Sequence, residues 1–261
     1  MKPKNPLTLT IVFLLLSGVA FSQVLLQNPK ASLKLKVQQD GGYNGASVAY
    51  NPVAGVYYAV MAGNSDYPLE TFDAQGRNVY QAQAGNDLRG LWWNPKSKSI
   101  EGNCYADGGI VSLGLNGSGY ATGNNEEVWY GSGYQPAEQS VGTFDPSKKE
   151  IVYFDGYYIS GYSRKNGKVT KTFVTPQLEV PIEDINTTTV IFTGVETMEY
   201  GLLDFVDKTL FLFDLDGYQT GTVNLPADAE TYDAFNFSYA NGYLFLFDQE
   251  SRVWTGYKIF E

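Results

Sequence analysis

The chain has 261 residues, 43% of them hydrophobic, 15% aromatic and 18% charged, with 28 Gly, 20 Tyr and no His. That balance belongs to a folded globular protein, and the glycine load argues against helical bundles and coiled coils. Without histidine there is no Ser-His-Asp or Cys-His catalysis, no His-ligated zinc and no histidine pH switch. A net charge of −10 at pH 7 argues against nucleic acid and anionic lipid as partners.

The chain opens with a pattern that reads as a secretory signal peptide over residues 1–22. Lys2 and Lys4 form a basic start, Leu7 to Ala20 is apolar apart from Thr and Ser, and Ala20-Phe21-Ser22 is a small-x-small cleavage site that leaves Gln23 first. The apolar run is shorter than the ~20 residues of a spanning helix. A secreted, periplasmic or cell-surface protein without a transmembrane segment is expected. Cleavage removes Lys2 and Lys4 and no acid, so the net charge moves from −10 to −12. The acids are spread along the chain, so a uniformly acidic, soluble surface is expected. Residues 23–261 are read as one domain.

The first predicted strand is Ser32 to Gln38, with Leu33, Leu35 and Val37 on one face and Lys34 and Lys36 on the other. A repeat follows. Strands end in an aromatic, an Asn or Asp, and a Pro: Tyr50-Asn51-Pro52, Trp93-Asn94-Pro95 and Phe144-Asp145-Pro146. Proline cannot donate to a ladder, so each triplet marks a turn, and a second strand follows it. A second motif closes the next hairpin: Asp73 to Gly76, Asn116-Gly117, Asn166-Gly167 and Asp214 to Gly217. Leu210-Phe211-Leu212-Phe213-Asp214 recurs as Leu244-Phe245-Leu246-Phe247-Asp248.

Strand-turn-strand units at this period, with no helical pattern between them, predict an all-β fold, a β-propeller of five blades or six. Blade starts fall near Ser47, Arg89, Ser140, Leu202 and Phe235, with Thr187 to Thr193 read as an extra strand of the fourth blade. The last blade stops one strand short after Val253 to Phe260. The spare strand at Ser32 to Gln38 is expected to complete it and shut the ring. In blade rhythm and Phe-Asp-x-x-Gly turns the chain resembles secreted bacterial propellers of the broad NHL/TolB-like kind. The resemblance implies architecture and no particular activity.

Candidate binding residues are aromatic. Trp92 and Trp93 lie on an inner strand, where adjacent side chains point to opposite faces. Trp129 and Tyr134 lie in the Gly- and Asn-rich stretch from Gly119 to Tyr134, read as a loop insertion exposing both rings for stacking on a sugar or peptide. Carboxylates are the acid/base groups left: Glu126, Glu127, Glu183, Asp184, Glu196 and Glu199, all expected in loops and weighed as solvated surface acids. Asp214-Leu215-Asp216-Gly217 begins like a calcium loop but lacks the later ligands, so it is read as a hairpin turn. Cys104 is alone, forms no internal disulfide and is expected half-buried on a strand.

No cofactor, no metal and no catalytic residue is assigned. The reading is a secreted, non-catalytic propeller that binds a protein or a glycan, as a monomer or within a larger complex. One alternative is a carboxylate-dependent glycoside hydrolase or polysaccharide lyase. Another is an accessory subunit of a cell-envelope complex.

Overall fold

The structure is a computed structural model and describes residues 23–131 and 133–261. The predicted signal peptide lies outside the described residues. Three strands end at a buried Asn or Asp whose Oδ1 folds the chain back. Asn51 accepts from the amides of Val53 (2.9 Å) and Ala54 (3.1 Å), Asn94 from Lys96 (3.0 Å) and Ser97 (3.3 Å), and Asp145 from Ser147 (2.8 Å) and Lys148 (3.3 Å). The Pro between has its φ preset for the turn and no N–H to leave unpaired.

The described residues form twenty strands in five four-stranded antiparallel sheets. The first strand, β1 (Ala31–Lys36), stands apart from its sequence neighbours. Blade one is β2 (Gly45–Asn51), β3 (Val56–Met61), β4 (Pro68–Asp73) and β5 (Asn78–Gln83). Blade two is β6 (Leu88–Asn94), β7 (Ser99–Cys104), β8 (Ile110–Ser112) and β9 (Glu126–Trp129). Blade three is β10 (Thr143–Asp145), β11 (Glu150–Phe154), β12 (Ile159–Ser163) and β13 (Val169–Val174). Blade four is β14 (Ile191–Phe192), β15 (Tyr200–Asp204), β16 (Thr209–Phe213) and β17 (Gln219–Asn224). Blade five is β18 (Phe237–Ala240), β19 (Tyr243–Asp248) and β20 (Val253–Lys258), with β1 as its outermost strand.

The inner strands contact one another in a closed circle, β2 to β6 to β10 to β14 to β18 and back to β2. This is an all-β, five-bladed β-propeller with no α-helix among the described residues. The N-terminal strand closes the ring as expected, pairing Lys34 with Thr255 and Leu35 with Trp254. Leu33, Leu35 and Val37 are buried while Lys34 and Lys36 face solvent.

Each of five apolar clusters fills one seam between blades. The rings and branched chains of one sheet interleave with those of the next, so middle strands are buried on both faces. At the seam between blades five and one, a Cβ on Gly45 would strike Phe247 at 2.7 Å and the ring of Trp254, so only glycine fits.

Two expectations are corrected. The fourth blade begins at Ile191 and not near Leu202, which lies on its second strand. The stretch from Thr187 to Thr193 is therefore not an extra strand, because its Ile191–Phe192 core is the innermost strand of that blade. The two Leu-Phe-Leu-Phe-Asp copies also sit at different places, the third strand of blade four and the second of blade five. Any middle strand is buried on both faces and reads as the same apolar run, so such a repeat does not fix blade phase.

Candidate functional site

All five inner strands run the same way, so the turns after them gather on one face: residues 52–55, 95–98, 146–149, 193–199 and 241–242. At its centre the channel opens into a cup of about 360 Å³ to which every blade contributes. Its wall carries an aromatic near the end of every inner strand, Tyr50, Trp93, Phe144, Phe192 and Tyr239, and blade two adds Trp92. Three of them come from the aromatic-Asx-Pro triplets. The Asx turn fixes where the strand stops, and the strand's pleat then directs the preceding ring into the mouth.

A second layer of rings backs the cup. Tyr50 rests on Tyr57 at 4.6 Å between centroids, Phe192 on Tyr200 at 5.9 Å, Tyr239 on Phe260 at 6.5 Å, and Phe144 stacks with Trp92 at 6.3 Å. Rings held this way lose little rotamer freedom when a ligand covers them. Behind the cup the channel shrinks to a cavity of about 10 Å³ between Ser47, Gly142, Thr189 and Ser238. That is the space of roughly one water.

Beside the cup lies a groove of about 530 Å³ at the seam of blades two and three, and Pro95, Phe144 and Pro146 line both. The groove is cationic. Lys96, Lys148, Lys149, Arg164 and Lys165 line it, with Glu150 as its one acid. Lys96, Lys148, Lys149 and Lys165 make no ion pair among the described residues. The surface is thus not uniformly acidic. Five cations converge here in a chain of net charge −10.

Under the groove lies a buried carboxylate that sequence reasoning missed. Glu101 accepts from Arg164 Nε and Nη2, both at 2.6 Å, from Asn94 Nδ2 at 3.0 Å, and from the hydroxyls of Ser97 (2.9 Å) and Ser99 (3.1 Å). Burial pushes its carboxyl up, but the hydrogen bonds from Arg164 and Asn94 and the guanidinium charge together hold the pKa below the ordinary value. The bidentate pair ties blade two to blade three. A partner 63 residues away in sequence leaves no local signal, and only the Asn94-Pro95 turn hinted that the side chains beside it are held.

Of the aromatic candidates, Trp92 and Trp93 line the mouth. They point to opposite faces of blade two, Trp92 into the seam with blade three and Trp93 against the seam with blade one. Trp129 and Tyr134 do not join them. The stretch from Gly119 to Tyr134 is not a free loop, because Glu126–Trp129 pairs with β8 as the outermost strand of blade two. The expectation that both rings are exposed is corrected. Tyr134 is 1% exposed, and its hydroxyl donates to the Cys104 carbonyl at 2.7 Å. Trp129 is half-buried, packed edge-on against Tyr134 at 5.3 Å and over Gly167 of blade three. An apolar ring on an edge strand finds the neighbouring blade before it finds solvent.

The carboxylate candidates are dispersed. Glu126 and Glu127 are exposed on β9, Glu183 and Asp184 lie on a short 3-10 turn on the opposite face, and Glu196 and Glu199 lie in the turn after β14. None lines the cup or the groove. Asp184 is pushed up by desolvation and by the charges of Asp204 and Glu183. The Asp214 carboxylate builds its own turn, accepting from Asp216 (3.0 Å) and Tyr218 (2.9 Å). Cys104 is buried at the end of β7, more deeply than expected, and burial followed by the Asp87 charge pushes its thiol up to about 12. It is no nucleophile at neutral pH.

No family model matches the chain, and no curated protein matches it either. Among solved structures it is similar to a structural genomics protein of unknown function from Bacteroides thetaiotaomicron VPI-5482. The TM-score is 0.52 at 10% identity, over 92% of this chain and 76% of that one. It is also similar to a chain of the nidogen/laminin complex, with a TM-score of 0.43 at 14% identity over 72% of this chain and 66% of that one. At such identities the likeness is one of fold.

Proposed function

We propose that this protein is a secreted, non-catalytic binding propeller that takes a glycan or a protein segment in the mouth of its channel. The observation that carries the reading is a cup lined by six aromatics drawn from all five blades, with no carboxylate among its lining residues. Fixed rings in a concave site supply apolar area and stacking at little entropic cost. The hydrolase or lyase alternative needs two carboxyls facing each other across a pocket, and the cup offers none.

The test is a glycan array and a pull-down from culture medium, run with residues 23–261 and with Trp93→Ala plus Tyr239→Ala. Truncating such anchors costs about 2 kcal/mol of binding or more. Retained ligands should be lost by the variant while its far-UV spectrum is kept. Ligands held equally by both proteins, or cut during incubation, would overturn the reading.

A specific patch supports a partner protein as a second reading. Tyr158 and Phe173 stack at 4.2 Å on the edge of blade three, and Phe173 and the neighbouring Tyr157 are largely exposed.

A further inference from the structure

We infer that the ligand of this mouth is an anionic oligosaccharide whose rings stack in the cup and whose acid groups lie in the groove between blades two and three. The inference rests on the binding reading above and narrows it. Cup and groove adjoin, since Pro95, Phe144 and Pro146 belong to the walls of both, so one extended occupant can reach from one into the other. One part is aromatic and carries no charge, and the other is cationic, so a single occupant needs flat apolar faces and negative charge at once.

The cations are not a by-product of turn formation. The turns after β6 and β10 carry Lys96, Lys98, Lys148 and Lys149, while the equivalent turns of blades one, four and five carry no basic residue. Lys165 comes from a different turn, between β12 and β13, and still lines the same groove. Lysines without partners crowded into one depression repel one another, and an anion relieves that repulsion. Arg164 spends Nε and Nη2 on Glu101 and has Nη1 left over on a guanidinium held rigidly in place.

Hydroxyls suited to sugar contacts stand among the cations, those of Ser163 and Thr170. The wall strands β11 and β12 are paired on both sides and offer a peptide no edge; the free outer edge of blade three belongs to β13, which brings Thr170 to the groove. A long nucleic acid would leave the groove onto the surface of a chain whose net charge is −10. A short acidic sugar chain meets none of these objections.

Carboxylate and sulfate share this chemistry, so the test carries both. Isothermal titration of residues 23–261 would use tetragalacturonate, a sulfated carrageenan tetrasaccharide and neutral maltotetraose. At least one acidic probe should bind about tenfold or more tighter than maltotetraose, and should weaken by about tenfold between roughly 50 mM and 300 mM salt. Lys96→Glu plus Lys148→Glu, both exposed and so compatible with folding, should abolish that preference and leave the unfolding midpoint in place. Trp93→Ala should weaken acidic and neutral probes alike. Equal binding of acidic and neutral probes, unchanged by the lysine variant but lost with Trp93→Ala, overturns the anionic inference and leaves the mouth reading standing. Binding that survives Trp93→Ala overturns both. Absence of heat with every probe overturns the inference, and the pull-down then decides the mouth reading separately.

Discussion

Glu101 is the residue on which the seam beneath the groove depends. Replacing it with Gln keeps the shape but leaves Arg164 without its anionic partner, and breaking a buried pair costs about 3–5 kcal/mol. Arg164 keeps 29% of its side-chain surface in solvent, so the loss should fall at the low end of that range and show as a lower denaturant midpoint. The pH dependence follows from the sign of the shift. The folded pKa lies below the ordinary value of 4.5, so the stabilisation is complete above that value and is lost as pH falls through the lowered one. Glu101→Gln should therefore flatten the acid limb of the stability curve, and an unchanged limb would contradict the role. Lys98 offers a test of opposite direction. It closes its turn at φ 55°, where blade one uses Gly55 at φ 69°. Lys98→Gly relieves that left-handed strain and should raise stability by roughly 0.5–1 kcal/mol in a denaturant titration.

The closing element is the N-terminal strand. Leu35 is fully buried opposite Trp254, and Leu35→Ala should cost about 3 kcal/mol. Removing residues 23–38 exposes the whole edge of β20 and the seam of blades five and one. The truncated protein should lose its cooperative thermal transition, and a midpoint equal to that of residues 23–261 would show that closure contributes little. This strand was legible in advance because one face is wet and its alternation is clean. The Asx-Pro turns were legible for a local reason, since each Oδ1 bonds amides two and three residues on. The innermost strand of blade four was not. Ile191–Phe192 is two residues long, and the seven-residue turn behind it hides the hairpin. Trp129 misled for a related reason. Gly and Asn around it read as loop, yet Ile110 and Val111 pair with its strand and the edge of blade three covers its ring.

At the scale of the whole molecule, rigidity comes from the seams, and the proposed binding site lies on the face where the inner strands end. The aromatic triplets were visible as punctuation in the sequence. That their rings meet in one cup was not, because convergence is a property of ring closure and not of any local pattern. The basic groove was hidden for the same reason, its cations being drawn from three turns across 70 residues of a chain whose charge is acidic overall. The measurement that bears most directly on this account is hydrogen–deuterium exchange of residues 23–261, alone and saturated with the tightest ligand that the array or pull-down returns. Protection should gather at residues 50–55, 93–98, 144–149, 192–199 and 239–242, where the five inner strands end. Protection confined to the outer strands or to the connections on the opposite face, or no retained ligand at all, would contradict the claim that the aromatic mouth is the binding site.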